Sequence, residues 1–401
     1  MGDLPPLRVG LLGQFGIGNL GNEGSLEAVL AFVRRAAPGA EITCITSDPD
    51  FVRRIYGINA IQIRNSYIGK LDRLLFRAPQ NLREMRRAAR QTRDLDVLIV
   101  PGTGVLDDFN EPPLGLPFDI WRWTRAAHRN SAKVAFVSVG AGPVTHWLSR
   151  RFVIGAARAA TYRSYRDKPS DAFMRSIAAS LPGDHVFPDV AFSLHAPAHG
   201  SSASIGAPVV AVGVMAYYGW SGSAEAGAAV YNTYTDKIAA FVAWLADTGR
   251  RVRFTIGKDK DVKTVEDVRA KAVALSPRVA DALEPFEAAQ NLHDVMAQMA
   301  SCDIAVVTRF HNLVCALQAH KPTVSLGYAK KNQALLEEMG LGAYSQDVET
   351  FDLATLKEHT EAVLANRAAL ATPIASTVKR YAAELEDQWR LLTPLLTRKP
   401  S

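Results

Sequence analysis

The sequence predicts an α/β protein of two domains, each built on a mostly parallel sheet with helices on both faces. Three observations predict it. Short apolar runs alternate with helical stretches from the first residues to the last hundred. A small, polar stretch punctuated by Pro and Gly interrupts that rhythm near the middle. Glycine-rich loops recur where the predicted strands end. The 401 residues exceed what one core carries and suit two domains of ordinary size.

In the first half, strands are predicted at Arg8–Leu12, Glu41–Thr46, Val97–Val100, Lys133–Val139, Ala160–Ser164 and Asp184–Phe187. Each is a short apolar run of the kind a buried parallel strand shows. Helical patterns fit between them, as at Asn22–Ala36 and Ile120–Arg129. A first domain is drawn over residues 1–195. Residues 196–208, Ala-Pro-Ala-His-Gly-Ser-Ser-Ala-Ser-Ile-Gly-Ala-Pro, read as a linker. The rhythm then restarts with strand Val209–Val214, helix Tyr231–Thr248 and strand Arg251–Ile256. Helices Thr264–Leu275 and Leu292–Ser301, strand Asp303–Val307 and helix His311–Ala319 follow, then strand Thr323–Leu326 and helix Asn332–Met339. The second domain spans 209–373. Residues 374–401 carry a long helical pattern, Ile374–Leu396, polar enough to pack outside and to cross back to the first domain. Open parallel sheets bind ligands outside the carboxyl ends of their strands, so the expected site is a cleft between the domains.

The formal net charge of +6 is modest and largely local. Arg77, Arg83, Arg86, Arg87, Arg90 and Arg93 share one helix-like segment, readable as a solvated basic face or as contact with an anionic lipid or membrane surface. No recognition motif or aromatic-interleaved basic stripe accompanies them, so nucleic acid is not an expected partner. Cys44, Cys302 and Cys315 are odd in number, widely spaced and set among apolar neighbours. They read as buried reduced thiols rather than metal ligands. The start, Met1-Gly2-Asp3-Leu4-Pro5-Pro6, lacks a basic n-region, and Pro6 stands where a myristoylation signal wants Ser or Thr. No window offers the ~18 uninterrupted apolar residues of a spanning helix. The expectation is a cytoplasmic enzyme.

Four segments carry the polar chemistry. Gly13-Gln14-Phe15-Gly16-Ile17-Gly18-Asn19-Leu20-Gly21-Asn22-Glu23-Gly24 follows the first strand and opens a helix. Its glycines permit tight turns and close approach to a ligand, and the helix start offers N–H groups to an anion. The glycine spacing misses GxGxxG, and no acidic residue plainly completes that fingerprint, so a dinucleotide is not indicated. A structural turn and an anion or sugar site both stay open. Pro101-Gly102-Thr103-Gly104-Val105-Leu106-Asp107-Asp108 follows Val97–Val100. Its two aspartates can bind sugar hydroxyls, act as a base or cap a helix. Gly140-Ala141-Gly142-Pro143 repeats the device after Val139.

Tyr162-Arg163-Ser164-Tyr165-Arg166-Asp167-Lys168-Pro169-Ser170 places Arg166 where a planar fork can grip a carboxylate or phosphate. Asp167 can pair with it or cap the helix that follows. The fourth segment, Asp303 to Ala316, is the most informative. A buried strand ends in Thr308-Arg309 and His311 begins the next helix, so both polar side chains emerge at the carboxyl edge of the second sheet. The helix dipole disfavours a cationic imidazole there and a neighbouring anion favours it, which makes His311 a candidate acid or base near neutrality.

Together and in this order, the four segments resemble the polysaccharide pyruvyltransferase family. That family shows a G-N-x-G-D-E-type turn, a G-G-G-x-L-x-D-type loop, an R-D-x-x-S segment and an R-x-H that begins a late helix. A strand like Pro322-Thr323-Val324-Ser325-Leu326, a Tyr and a helix like Leu335–Leu341 follow. The resemblance spans Val9 to Leu341. It implies two facing Rossmann-like domains of the glycosyltransferase-B kind, acceptor side first and donor side second. It also implies that His311 is the catalytic histidine and Arg309 a ligand for phosphoenolpyruvate, with Arg166 holding the donor as well. Gly18, Asn19, Gly21 and Glu23, with Gly102, Thr103, Gly104 and Asp107, would then bind substrate. Asn22 replaces the usual Asp, Thr103 the middle glycine and Phe310 a frequent Leu; the first two changes bear on acceptor recognition.

The implied activity moves the pyruvyl group of phosphoenolpyruvate onto two hydroxyls of a sugar, in an exopolysaccharide or its precursor. A cyclic ketal forms and phosphate leaves, with no metal and no further cofactor. The arginine-rich segment hints that the sugar acceptor is lipid-linked, with peripheral contact at the inner face of a membrane. One rival is a nucleotide-sugar glycosyltransferase of the same architecture, for which Gly327-Tyr328-Ala329-Lys330-Lys331 offers lysines and little else. A non-catalytic sugar- or anion-binding protein is the other, and the Arg309/His311 pair speaks against it.

Overall fold

A computed structural model describes residues 5–65, 78–109, 111–178, 183–195, 206–219 and 223–397. They divide into two compact units. The first takes the chain up to Ile17, Ser25–Val190 and the segment from Glu384; the second takes Gly18–Gly24 and Ala191–Ala383. Of the expected linker, residues 196–205 lie outside the described residues, as do Arg77 and the first four residues.

The first unit contains β1 (Arg8–Leu12), β2 (Glu41–Thr46), β3 (Asn59–Gln62), β4 (Val97–Val100), β5 (Gly104–Leu106), β6 (Lys133–Ala141), β7 (Tyr162–Tyr165) and β8 (Asp184–Val186). Among the described residues they form a parallel sheet ordered β3-β2-β1-β4-β6-β7-β8, with β5 beside β6. The order reverses between β1 and β4, which makes the loops after those two strands the favoured ligand-facing positions. Strands β4 and β6 are buried nearly end to end, so they read as continuous apolar runs. Helix Leu116–Arg129 lays Ile120 and Trp123 against Leu98 and Phe136 in one core. Burying each such side chain contributes roughly 1.5–3 kcal/mol.

The arginine-rich segment is a helix, Ala78–Gln91. Its Arg87 turns inward, donating to the Gln62 and Ile63 carbonyls and pairing with buried Glu84 at 2.7 Å. Arg122 and Arg64 share buried Asp119 next to it, at 2.8 and 2.7 Å. Burial pulls the Arg122 guanidinium below its ordinary range, and Asp119 and Glu84 restore only part of that.

The second unit contains β9 (Val209–Gly213), β10 (Arg251–Thr255), β11 (Ile304–Val307), β12 (Thr323–Gly327) and β13 (Ser345–Asp347). Their order is β10-β9-β11-β12-β13, again all parallel, with the reversal between β9 and β11. Helix Ala224–Asp247 starts seven residues before the apolar period becomes visible, capped by the Ser223 hydroxyl accepting from Ala226 N.

The last long helix, Arg367–Leu392, starts in the second unit, where Tyr381 packs edge-on to Phe192 and bonds Glu338. Its final turns belong to the first unit. There Trp389 stacks on Phe32 at 4.6 Å, and the Gln388 amide oxygen accepts from Ser164 and Tyr162 while its nitrogen donates to Ser138. The three cysteines are buried, and none is in a disulfide among the described residues. No helix among the described residues is long and apolar enough to cross a membrane.

Candidate active site

Strand β11 is four apolar, fully buried residues, and its carboxyl end lies at the order reversal of the second sheet. Thr308 N bonds the carbonyl of Gly213 at the end of β9, and the Thr308 hydroxyl meets that of Tyr234 at 2.9 Å. Arg309 then takes extended backbone as the residue before helix Phe310–Gln318. Its Nε and Nη2 donate to Asp261 at 2.5 and 2.6 Å, a bidentate pair in which the carboxylate is fully buried. Asp261 also accepts from Ala216 N and Gly257 N, so both oxygens are tied to the scaffold. Burial pulls Arg309 downward, but the hydrogen bonds and charge of Asp261 outweigh it and hold the guanidinium above its ordinary value. The fork is locked in the charged state.

His311 lies one turn-start further on, its ring edge-on to Phe310 at 5.4 Å. Its neighbour is Gly21. A Cβ on Gly21 would stand 1.9 Å from the imidazole Nδ1, so only glycine leaves room for the ring. Gly18 is held at φ +66°, and a Cβ there would stand 2.2 Å from Asp259. Leu20 N bonds Gly257 O, Asp259 N bonds Gly18 O, and Asn19 bridges Lys258. These bonds gather Gly18–Gly24 into the second unit, whereas sequence order placed them with the first. Asn19, Gly21 and buried Glu23 therefore stand with His311 and Arg309 in one unit.

Two residues here were not singled out from the sequence. Asp261 is one. The other is Lys258, half-buried on the loop after β10. Burial pushes its ammonium below the ordinary lysine range, Lys260 and Arg309 add to that, and Asp261 and Asp259 oppose it. Among the described residues no carboxylate forms an ion pair with Lys258. The string Lys258-Asp259-Lys260-Asp261 looks like ordinary charged surface, and only the glycine before it, at a strand end, marks it. Asn312, fully buried against Gly213 and Gly257, has no hydrogen-bond partner on either amide atom among the described residues. Such a group calls for an explanation other than packing.

The other predicted residues cluster in the first unit. Arg166 is almost wholly buried, its Nη1 3.1 Å from Asp189 and its Nε 3.7 Å from Asp167. It lies directly under Gly140, where a Cβ would meet its Nη2 at 2.7 Å, and close to Gly104. Thr103 is buried, its carbonyl accepting from Gly140 N, so the loop Gly102–Asp107 and the Gly140 turn form one surface above the guanidinium. Asp167 accepts from Ser170 N at 2.7 Å, capping the next helix. Asp107 accepts from Phe109 N, and Asp108 from Thr145 N and His146 N, which takes up Asp108 in anchoring the approach to helix Trp147–Arg158. Among the described residues no group of three or more His, Cys, Asp or Glu is placed to hold a metal.

Solved structures share this fold across nearly the whole chain. One is S. aureus MnaA with UDP, at TM-score 0.61 and 13% identity, covering 98% of this chain and 99% of that one. A glycosyltransferase from Rickettsia africae ESF-5 matches at TM-score 0.62 and 8% identity, covering 99% and 100%. A putative UDP-N-acetylglucosamine 2-epimerase from Listeria monocytogenes matches at 0.59 and 11%, covering 96% and 97%. The class is thus a two-sheet, Rossmann-like α/β fold, shared with glycosyltransferases and sugar-nucleotide epimerases. No curated protein matches the sequence. The family profile described as polysaccharide pyruvyl transferase matches residues 19–330, from the glycine turn to the helix after β12. The chain belongs to that family of transferases.

Proposed function

We propose that this transferase takes the pyruvyl group of phosphoenolpyruvate and closes it as a cyclic ketal on two hydroxyls of a sugar, releasing phosphate. The observation that carries the reading is the cluster in the second unit: a charged Arg309 locked by Asp261, a half-buried Lys258 that no carboxylate among the described residues ion-pairs, and His311 seated on Gly21. Phosphoenolpyruvate brings about three negative charges near neutrality, and the two cations with the N–H groups opening helix Phe310–Gln318 supply complementary donors. His311 as imidazolium gives its proton to the methylene carbon, leaving an oxocarbenium-like centre at C2. A sugar hydroxyl adds there and gives up its proton, the C2–O–P bridge breaks to release phosphate, and the second hydroxyl closes the ring. The proton supplied by His311 is recovered from the hydroxyls, so the enzyme ends as it began. This chemistry requires no metal.

On the first unit, Arg166 and the surface of Gly102, Thr103, Gly104 and Asp107 are proposed to bind substrate, with the Asp189 pair fixing the fork. Arg166→Lys, which keeps charge but loses the fork, assigns the role: a raised KM for donor or for acceptor says which one it serves.

Phosphate release from phosphoenolpyruvate over a panel of sugar acceptors tests the reaction. His311→Ala should lower turnover ~10²–10⁴-fold, the usual range for lost proton transfer. Wild-type turnover in that variant removes the assignment. One observation favours a second reading: similar folds include a protein solved with UDP and a glycosyltransferase. Consumption of a nucleotide sugar in the same panel, with phosphoenolpyruvate inert, would establish that reading instead.

A further inference from the structure

Three helices of the first unit, Ala78–Gln91, Leu116–Arg129 and Trp147–Arg158, form one layer in which the middle helix packs against both others. Their exposed sides are basic: Arg86 and Arg90 at helical spacing on the first, Arg125 and Arg129 likewise on the second, and the adjacent Arg150 and Arg151 on the third, all exposed. The three helices contain two carboxylates, Glu84 and Asp119, and both are buried and neutralised from within by Arg87, Arg122 and Arg64. Asp94, just past the first helix, is held by Arg8 at 3.7 Å. The six exposed guanidiniums make no ion pair among the described residues. A solvated helix face normally mixes signs, and this one does not.

Apolar groups stand among the charges. Trp147 is 66% exposed and shares its stripe with Arg150 and Arg151, while Leu82, 50% exposed, shares one with Arg86 and Arg90. Guanidiniums with an exposed indole suit the headgroup zone of a bilayer, where the ring lies at the interface and the cations face lipid phosphates. A nucleic-acid partner would call instead for an aromatic-lined groove or a reading helix, and the layer has neither among its described residues.

We propose that this three-helix face is a docking surface for an anionic phospholipid bilayer. It stands on the charge pattern and the exposed indole among the arginines and does not depend on the reaction proposed above. Each basic side chain at such a surface contributes about fivefold in partitioning, near 1 kcal/mol, and the attraction fades as salt shortens the Debye length.

The test is co-sedimentation of the full chain with phosphatidylcholine vesicles containing roughly a third phosphatidylglycerol, against phosphatidylcholine alone. Binding is expected only to the anionic vesicles and should weaken sharply between ~0.05 and ~0.5 M salt. Arg150→Ala/Arg151→Ala should lower partitioning about 25-fold, two fivefold steps combined, and Trp147→Ala should lower it further, both with unchanged phosphate release. Equal binding to neutral vesicles, no binding at low salt, or full binding by the double variant would overturn the proposal. Tighter binding to duplex DNA than to vesicles through the same arginines would overturn it too. The salt series on the wild-type chain reads out even where a variant fails to fold.

Discussion

Both oxygens of Asp261 are spent on Arg309 and on two backbone N–H groups, so the carboxylate is a fixed point against which the guanidinium is aimed. Asp261→Asn keeps the shape and removes the charge that holds Arg309 above its ordinary value. Removing one partner of a buried pair costs ~3–5 kcal/mol, and a misplaced fork should lower kcat/KM about 10²-fold. A merely structural role would give the stability loss alone. Positioning also predicts non-additivity: once Arg309→Ala is present, Asp261→Asn should change kcat/KM little, and fully additive losses would rule positioning out. Lys258→Gln should raise the KM for phosphoenolpyruvate about tenfold, the scale of one charge-assisted contact, with kcat little changed. Arg309 and His311 were legible in the sequence because a buried apolar run ends on them. Asp261 was not, because its partner lies 48 positions along the chain and its neighbours look like solvated surface.

The helix Leu20–Ala36 begins with a turn whose glycine serves another element. Glycine inside a helix ordinarily costs ~1 kcal/mol against alanine, so Gly21→Ala at an unobstructed site would stabilise. Here the added methyl meets the His311 ring at 1.9 Å, and overpacking of that kind costs ~1–3 kcal/mol. Gly21→Ala is therefore expected to lower the unfolding midpoint and to cut turnover about 10²-fold by displacing the imidazole. A stabilised variant with full turnover would mean that the ring does not sit there. Elements built from β-branched runs were readable, as β4, β9 and β11 show. The strands β3, β5 and β13 were not: β5 is three residues inside a glycine loop, and β3 and β13 are short, half-polar edges. Helix starts were placed late at Leu116, Ala224 and Arg367, because Pro, Ala and Gly in the opening turns carry no apolar period.

Chain order misassigns whatever folds across it. Gly18–Gly24 precedes most of the first unit yet is bonded to the loop after β10, and the last helix leaves the second unit to end on the first. Local patterns have no access to such pairings, so the sequence supported two sheets and their glycine loops but not the membership of these segments. Both units bury weak acids, and this gives the molecule a common response to pH. Burial lifts Tyr162 and Tyr234 from 10.0 to about 12. The Cys302 thiol is lifted from 9.0 to about 11. The fold thus holds these groups in their neutral forms. Their contribution is complete below their ordinary values and drains as pH rises toward the folded ones, at up to about 1.4 kcal/mol per pH unit for each group. Lys258 and Lys321 act in the opposite sense, since burial depresses them and losing the proton relieves the fold up to their ordinary 10.5. The loss is therefore unopposed above about pH 10.5. Unfolding midpoints should hold nearly level to about pH 9 and fall steeply beyond about 10.5, with Tyr162→Phe flattening the descent. A midpoint that stays level to about pH 11.5 would mean that water reaches the phenols in the folded chain.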